Sequence, residues 1–262
     1  MRVKYIVALA AVMALSIITA PAVSQDAPAA EDILTKTLDR QYDDMTLQVK
    51  LVKVSRSGRE REMELEVKIK KDGDATRTKA EFTAPPEIAG MTSLSWDYTG
   101  TVEPSDRWFR LAGLNYVKCV GRACSSMEDR FGFSMDIFAI RLDEAEHTLL
   151  GEEEVDGTAC WKVESKTKEG VDRAEDKFIT WVDKKMYAAR KIEAYEGGEV
   201  TQRSLFTGFK ELAGHWWETK GTLEQVGSKK EVRFEILEAK ANTGIPDEVF
   251  EKPRTFDIQG ND

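Results

Sequence analysis

Glu62-Met63-Glu64-Leu65-Glu66-Val67-Lys68-Ile69-Lys70 alternates apolar and charged side chains without a break. A period of two places Met63, Leu65, Val67 and Ile69 on one face of a β-strand and every charge on the other. At 3.6 residues per turn the same side chains would scatter around a helix axis. One face of this strand is therefore wet, and the other lines a core or a cavity. Antiparallel sheets are the sheets that tolerate one wet face.

The same pattern extends in both directions. Upstream, Thr46 to Val54 reads as a strand, with a turn at Arg56-Ser57-Gly58. Downstream, Asp72-Gly73 marks a tight hairpin, and Thr76 to Phe82 returns antiparallel. Pro85-Pro86 interrupts the ladder because proline lacks an N–H donor. Met91 to Tyr98, Arg107 to Ala112 and Tyr116 to Val120 follow as strands. Between Ser125 and His147 the pattern changes to an apolar helical insertion, with Ser134 placed to cap a helix that carries Met135, Phe138 and Leu142. A second meander occupies the C-terminal half. It runs through Leu149–Val155, Ala159–Lys166, Lys177–Asp183, Ala188–Tyr195, Glu199–Phe209, Trp216–Val226 and Glu231–Ala239, with turns at Asp156-Gly157, Gly197-Gly198 and Gly227-Ser228. Near the start, Glu31 to Gln41 reads as a short amphipathic helix with Ile33, Leu34 and Leu38 on one side. Turn signals at near-regular spacing predict a mainly β chain: one large antiparallel sheet, or a partly closed barrel, in a single domain over residues 25–262.

Composition narrows the function. The 262 residues are 41% hydrophobic and 32% charged, enough for one sizeable core. The net charge is −9 with acids and bases interspersed, so no basic stripe suited to nucleic acid stands out. Arg2 and Lys4, the apolar run Tyr5 to Ala20 and the small residues Ala20-Pro21-Ala22-Val23-Ser24 form a signal-peptide pattern over residues 1–24. The expectation is an exported, periplasmic protein with peripheral membrane contact only.

Catalytic constellations are missing from the pattern. His147 and His215 are the only histidines, and neither has metal-ligand spacing to Cys or to another His. Ser165-Lys166-Thr167-Lys168 fits Ser-x-x-Lys but sits where a strand runs into a polar turn. No glycine-rich phosphate loop is present. The reading is of a non-enzyme with no metal or other cofactor. Three cysteines in an oxidising compartment leave one over. Cys119 and Cys124 flank a hairpin-sized loop and are expected to pair, leaving Cys160 as a free thiol on the polar face of its strand.

Several separated motifs resemble the periplasmic outer-membrane lipoprotein-sorting proteins of the LolA kind, in particular their larger LolA-like relatives. They are Phe82-Thr83-Ala84-Pro85 with Gly90-Met91-Thr92-Ser93-Leu94, then Trp108-Phe109-Arg110-Leu111, Trp181-Val182-Asp183-Lys184, Gly214-His215-Trp216-Trp217, and Ile245-Pro246-Asp247-Glu248-Val249-Phe250. The resemblance implies a half-open β-barrel with short helices as a lid. It further implies a monomeric carrier whose hydrophobic cavity takes lipid or lipoprotein acyl chains from an inner-membrane transporter. On this reading Met63, Leu65, Val67 and Ile69 line a groove covered by Ile33, Leu34 and Leu38 and by Met135, Phe138 and Leu142. Trp96, Trp108 and Trp181 are candidate walls, with ordinary core packing as their other role. A non-catalytic envelope scaffold and a periplasmic hydrolase stay open as alternatives.

Overall fold

The computed structural model describes residues 27–38, 40–73, 75–98, 101, 105–111, 113–120, 142–171, 173–228 and 230–253. The residues expected as a signal peptide, together with Cys124, Met135 and Phe138, lie outside them. One α-helix, α1 (Ala30–Leu38), precedes β1 (Asp44–Val54), β2 (Glu60–Asp72), β3 (Ala75–Ala84), β4 (Thr92–Tyr98), β5 (Asp106–Arg110) and β6 (Val117–Val120). A short 3-10 turn, Leu142–Glu144, leads into β7 (Ala145–Val155) and β8 (Thr158–Thr167). β9 (Lys177–Asp183), β10 (Ala189–Glu196), β11 (Glu199–Leu212), β12 (His215–Gln225) and β13 (Lys230–Ala241) complete the second meander.

All thirteen strands form one sheet in the order β6-β5-β4-β3-β2-β1-β13-β12-β11-β10-β9-β8-β7. Every neighbouring pair is antiparallel, and β1 pairing with β13 joins the two meanders. The sheet stays open and does not close into a barrel. Tight turns do most of the folding back. At Asp156-Gly157 both residues have positive φ (47° and 76°), the twist that matches two-residue hairpins.

Register defines two faces. Leu65 sits opposite Val49 of β1 and Phe82 of β3. Leu51 sits opposite Phe234, which faces Gly221 of β12, which faces Phe206 of β11. The row continues through Ser204, Ile192, Thr180, Val163 and Leu149 to β7. This is the apolar face. The opposite, charged face carries cross-strand pairs such as Lys50–Glu62 at 2.8 Å, Lys162–Glu153 at 2.7 Å and Arg203–Glu193 at 3.0 Å.

One expectation is corrected. The segment ending at His147 is not helical throughout, because β7 already begins at Ala145. Ala145, His147 and Leu149 alternate against Glu146 and Thr148, and pairing with β8 outweighs the helix-favouring acidic run. Cys160 is free, and it shares the charged face with Lys162 and Glu164 as expected. It is nonetheless fully buried, because Val155, Ile179, Trp181 and Tyr195 close over it. Burial, with Asp183 beside it, pushes its thiol up to about 11.

Candidate functional site

The candidate site is the apolar face. At its centre Met45, Leu47, Val49 and Leu51 of β1 meet Met63, Leu65 and Val67 of β2, with Phe82, Phe109, Phe206 and Phe234 around them. Ile69 packs half-buried at the border. Gly221 makes room here. A Cβ at that position would meet the Leu205 carbonyl oxygen at 2.5 Å and the Phe234 ring at 2.7 Å. The Phe206 and Phe234 rings, from the strands on either side, meet edge-on at 6.2 Å.

α1 covers a different part of the same face. Ala30, Ile33 and Leu34 pack on Trp161, Val163 and Val182 of β8 and β9, joined by Leu142, Leu149 and Tyr187. Leu38 is half-buried at the helix end. The chain then crosses to β1. Arg40 lies 4.3 Å over the Trp217 ring and pairs with Glu218, whose other oxygen accepts the Ala189 N–H at 2.8 Å. Tyr42 stacks on Trp217 at 5.5 Å, and burial raises its hydroxyl above the ordinary range. Three buried donors in this region, Arg40 Nε, Thr180 Oγ1 and Trp217 Nε1, have no hydrogen-bond partner.

The residues expected to line one groove therefore divide. Met63, Leu65, Val67 and Ile69 come together on the apolar face. Ile33, Leu34 and Leu142 share that face but sit over β7 to β9. Trp96 and Trp108 lie on the opposite face, under the C-terminal segment Ile245 to Phe250. The Trp96 Nε1–H donates to the Phe250 carbonyl at 3.0 Å. Trp181 is also on the opposite face, between Lys162 at 5.0 Å and Lys191 at 4.0 Å. These three rings cannot wall a groove lined by Met63. The buried indole rings on the apolar face are Trp161, against α1, and Trp217, in the central cluster. Strand parity could have flagged Trp161, which alternates with Val163. Trp217 is adjacent to Trp216, so parity alone does not say which ring turns inward.

The C-terminal segment is pinned to the charged face by Asp44. Its carboxylate accepts the Thr243 N–H (2.8 Å), Thr243 hydroxyl (3.0 Å), Gly244 N–H (2.8 Å) and Ile245 N–H (3.2 Å). Burial alone would raise the Asp44 pKa, but these hydrogen bonds outweigh it and leave the carboxyl below its usual range.

His147 Nδ1 lies 2.9 Å from Ser165 Oγ, and its Nε2 lies 3.1 Å from the Leu142 carbonyl oxygen. Ser165 is fully buried, so this pair acts as a strand-to-strand tie. Among the described residues no three of His, Cys, Asp and Glu gather as a metal site.

A DUF1329 family protein from Desulfovibrio piger superposes with a TM-score of 0.76 at 21% identity, over 85% of this chain and 95% of that one. A domain assigned to outer membrane lipoprotein sorting, from Vibrio parahaemolyticus, gives 0.72 at 17% identity over 84% and 95%. A LolA superfamily protein from Nitrosomonas europaea gives 0.64 at 16% identity over 86% and 99%. Identities this low establish a shared fold. No protein of curated function matches the chain. The model of a DUF1329-like family, described as uncharacterized protein, matches residues 74–254, well over half of the chain. The chain thus belongs to this DUF1329-like family and has the LolA-like fold.

Proposed function

We propose that this protein is a non-catalytic periplasmic carrier that binds lipid or lipoprotein acyl chains on the apolar face of its open sheet. One observation carries the reading: among the described residues, the face is far larger than the one helix that packs on it. A nine-residue helix is about 14 Å long. Thirteen strands about 4.8 Å apart reach roughly 55–60 Å across. Among the described residues α1 serves only the β7 to β9 end, and a sheet of this size needs a partner for the remainder. The shared fold with a lipoprotein-sorting domain and a LolA superfamily protein supports the same reading. Export is supported by the signal-peptide pattern. No helix among the described residues is long and apolar enough to cross a membrane.

The energetics suit a carrier. About 14 buried methylenes would contribute roughly 11 kcal/mol gross at about 0.8 each. Association and ordering remove several kcal/mol or more, leaving a complex that shields its cargo and still releases it.

A specific observation favours a second reading. Met45, Leu51, Met63 and Leu65 are already 0–3% exposed, as expected of a scaffold whose apolar face is filled by its own side chains. Titration with a fluorescent fatty acid separates the two. A carrier binds it saturably. Half-buried Ile69, on the rim of the apolar cluster, is the position to alter, because Leu65→Glu would unfold the centre. Ile69→Glu should weaken binding about tenfold or more by placing a carboxylate beside the chain. Lys68→Gln, one residue away on the charged face, should leave binding unchanged. Absence of saturable binding by the parent protein would favour the scaffold.

A further inference from the structure

At one end of β2 the apolar row gives way to cations. Arg61 continues the parity of Met63, Leu65 and Val67, whereas Glu60 and Glu62 face the other way. Lys53 of β1 stands directly opposite Arg61, and Val232 of β13 stands opposite Lys53. Lys230 shares the parity of Val232, so three adjacent strands bring Arg61, Lys53 and Lys230 to one rim of the apolar face. Directly opposed Cβ atoms lie about 5 Å apart and diagonal neighbours about 7–8 Å apart, within reach of one bound anion. Arg56 and Arg59 add two exposed guanidinium groups in the β1–β2 turn.

Three described acids at this end, Glu60, Glu62 and Glu231, lie on the opposite face. Glu60 pairs with Arg233, Glu231 approaches Arg233 at 3.3 Å, and Glu62 holds Lys50 at 2.8 Å. Arg61 and Lys230 are exposed, and among the described residues neither has an ion-pair partner. Like charges in direct register weaken a strand pair. A chain with a net charge of −9 has acids to spare for neutralising Arg61. The alternation Arg59-Glu60-Arg61-Glu62 instead sorts acid and base onto opposite faces.

We propose that this rim is a headgroup site for a phosphate-bearing, anionic amphiphile, its acyl chain directed toward Leu51, Met63 and Leu65. The adjoining register pairs supply the order, cationic Lys53–Arg61, then apolar Leu51–Met63, then Val49–Leu65. Arginine donates to two phosphate oxygens at once, and lysine adds a point charge. The proposal deepens the carrier reading and rests on it.

The test compares three probes on the full mature chain by calorimetry, below any micellar concentration. They are a lysophosphatidylglycerol, the monoacylglycerol with the same chain, and glycerol phosphate. The parent protein should bind the phosphorylated lipid about tenfold tighter than the neutral one, and this preference should shrink in high salt. The double variant Arg61→Gln/Lys230→Gln should lose that preference and keep its affinity for the neutral lipid. Lys240→Gln, on the charged face, should change neither. Equal binding of both lipids by the parent protein would overturn the headgroup site and leave the carrier intact. Binding of neither would overturn the carrier reading and the site with it. Glycerol phosphate binding as tightly as the lipid would overturn the proposal in favour of an anion site that ignores the tail.

Discussion

Among single residues, Asp44 has the most work to do. It starts β1 and, through its carboxylate, holds the backbone of Thr243 to Ile245 about two hundred positions away. The residue is 4% exposed, and Asp44→Ala would leave the buried Ile245 N–H without an acceptor and release those of the more exposed Thr243 and Gly244, which should cost about 2 kcal/mol. Its carboxyl is held below the usual carboxylate range, because the hydrogen bonds outweigh the opposing effect of burial. A carboxyl whose folded pKa lies below its unfolded one stabilises fully above the unfolded value and loses that effect as pH falls through the folded one. The stability difference between the parent protein and Asp44→Asn should therefore be constant near neutral pH and shrink below about pH 4. Urea denaturation at pH 7, 5 and 3 measures it. A difference that stays the same at pH 3 would place the source of Asp44's effect elsewhere.

Among elements, β12 shows how sterics fix the sheet. Gly221 stands in register with Phe206 on one side and Phe234 on the other, and the two rings meet over it. A methyl there would press on the Leu205 carbonyl and the Phe234 ring, so Gly221→Ala should destabilise by about 1–3 kcal/mol although alanine is otherwise the better strand residue. Thermal unfolding measures the loss, and an unchanged midpoint would show that the rings shift freely. The strands themselves were legible in the amino-acid order, because alternation and Gly-containing turns are local signals. The facing of Trp96, Trp108 and Trp181 was not. Thr92 to Ser95 of β4 and Phe178 to Asp183 of β9 are buried on both faces, so no alternation remains to say which side a ring takes. What covers the charged side at β4, the segment Ile245 to Phe250, lies some 150 positions away and leaves no local mark.

For the whole molecule, the proposed carrier role rests on one broad apolar face. The row from Phe82 through Leu65, Leu51 and Phe234 to Phe206 is continuous across six strands, and α1 closes only the far end of the face. Its size was only partly readable beforehand. The apolar stripe of β2 was plain, but joining it to β11 depends on β1 pairing with β13, a contact between distant parts of the chain that no local pattern encodes. The most direct measurement is native mass spectrometry of the protein exported from its own host and purified without detergent. The account predicts a mass beginning near Gln25, raised by a lipid that organic solvent releases and that solvent-stripped protein takes up again from added lipid. Bare polypeptide in the native spectrum, with no uptake of added lipid, would contradict it.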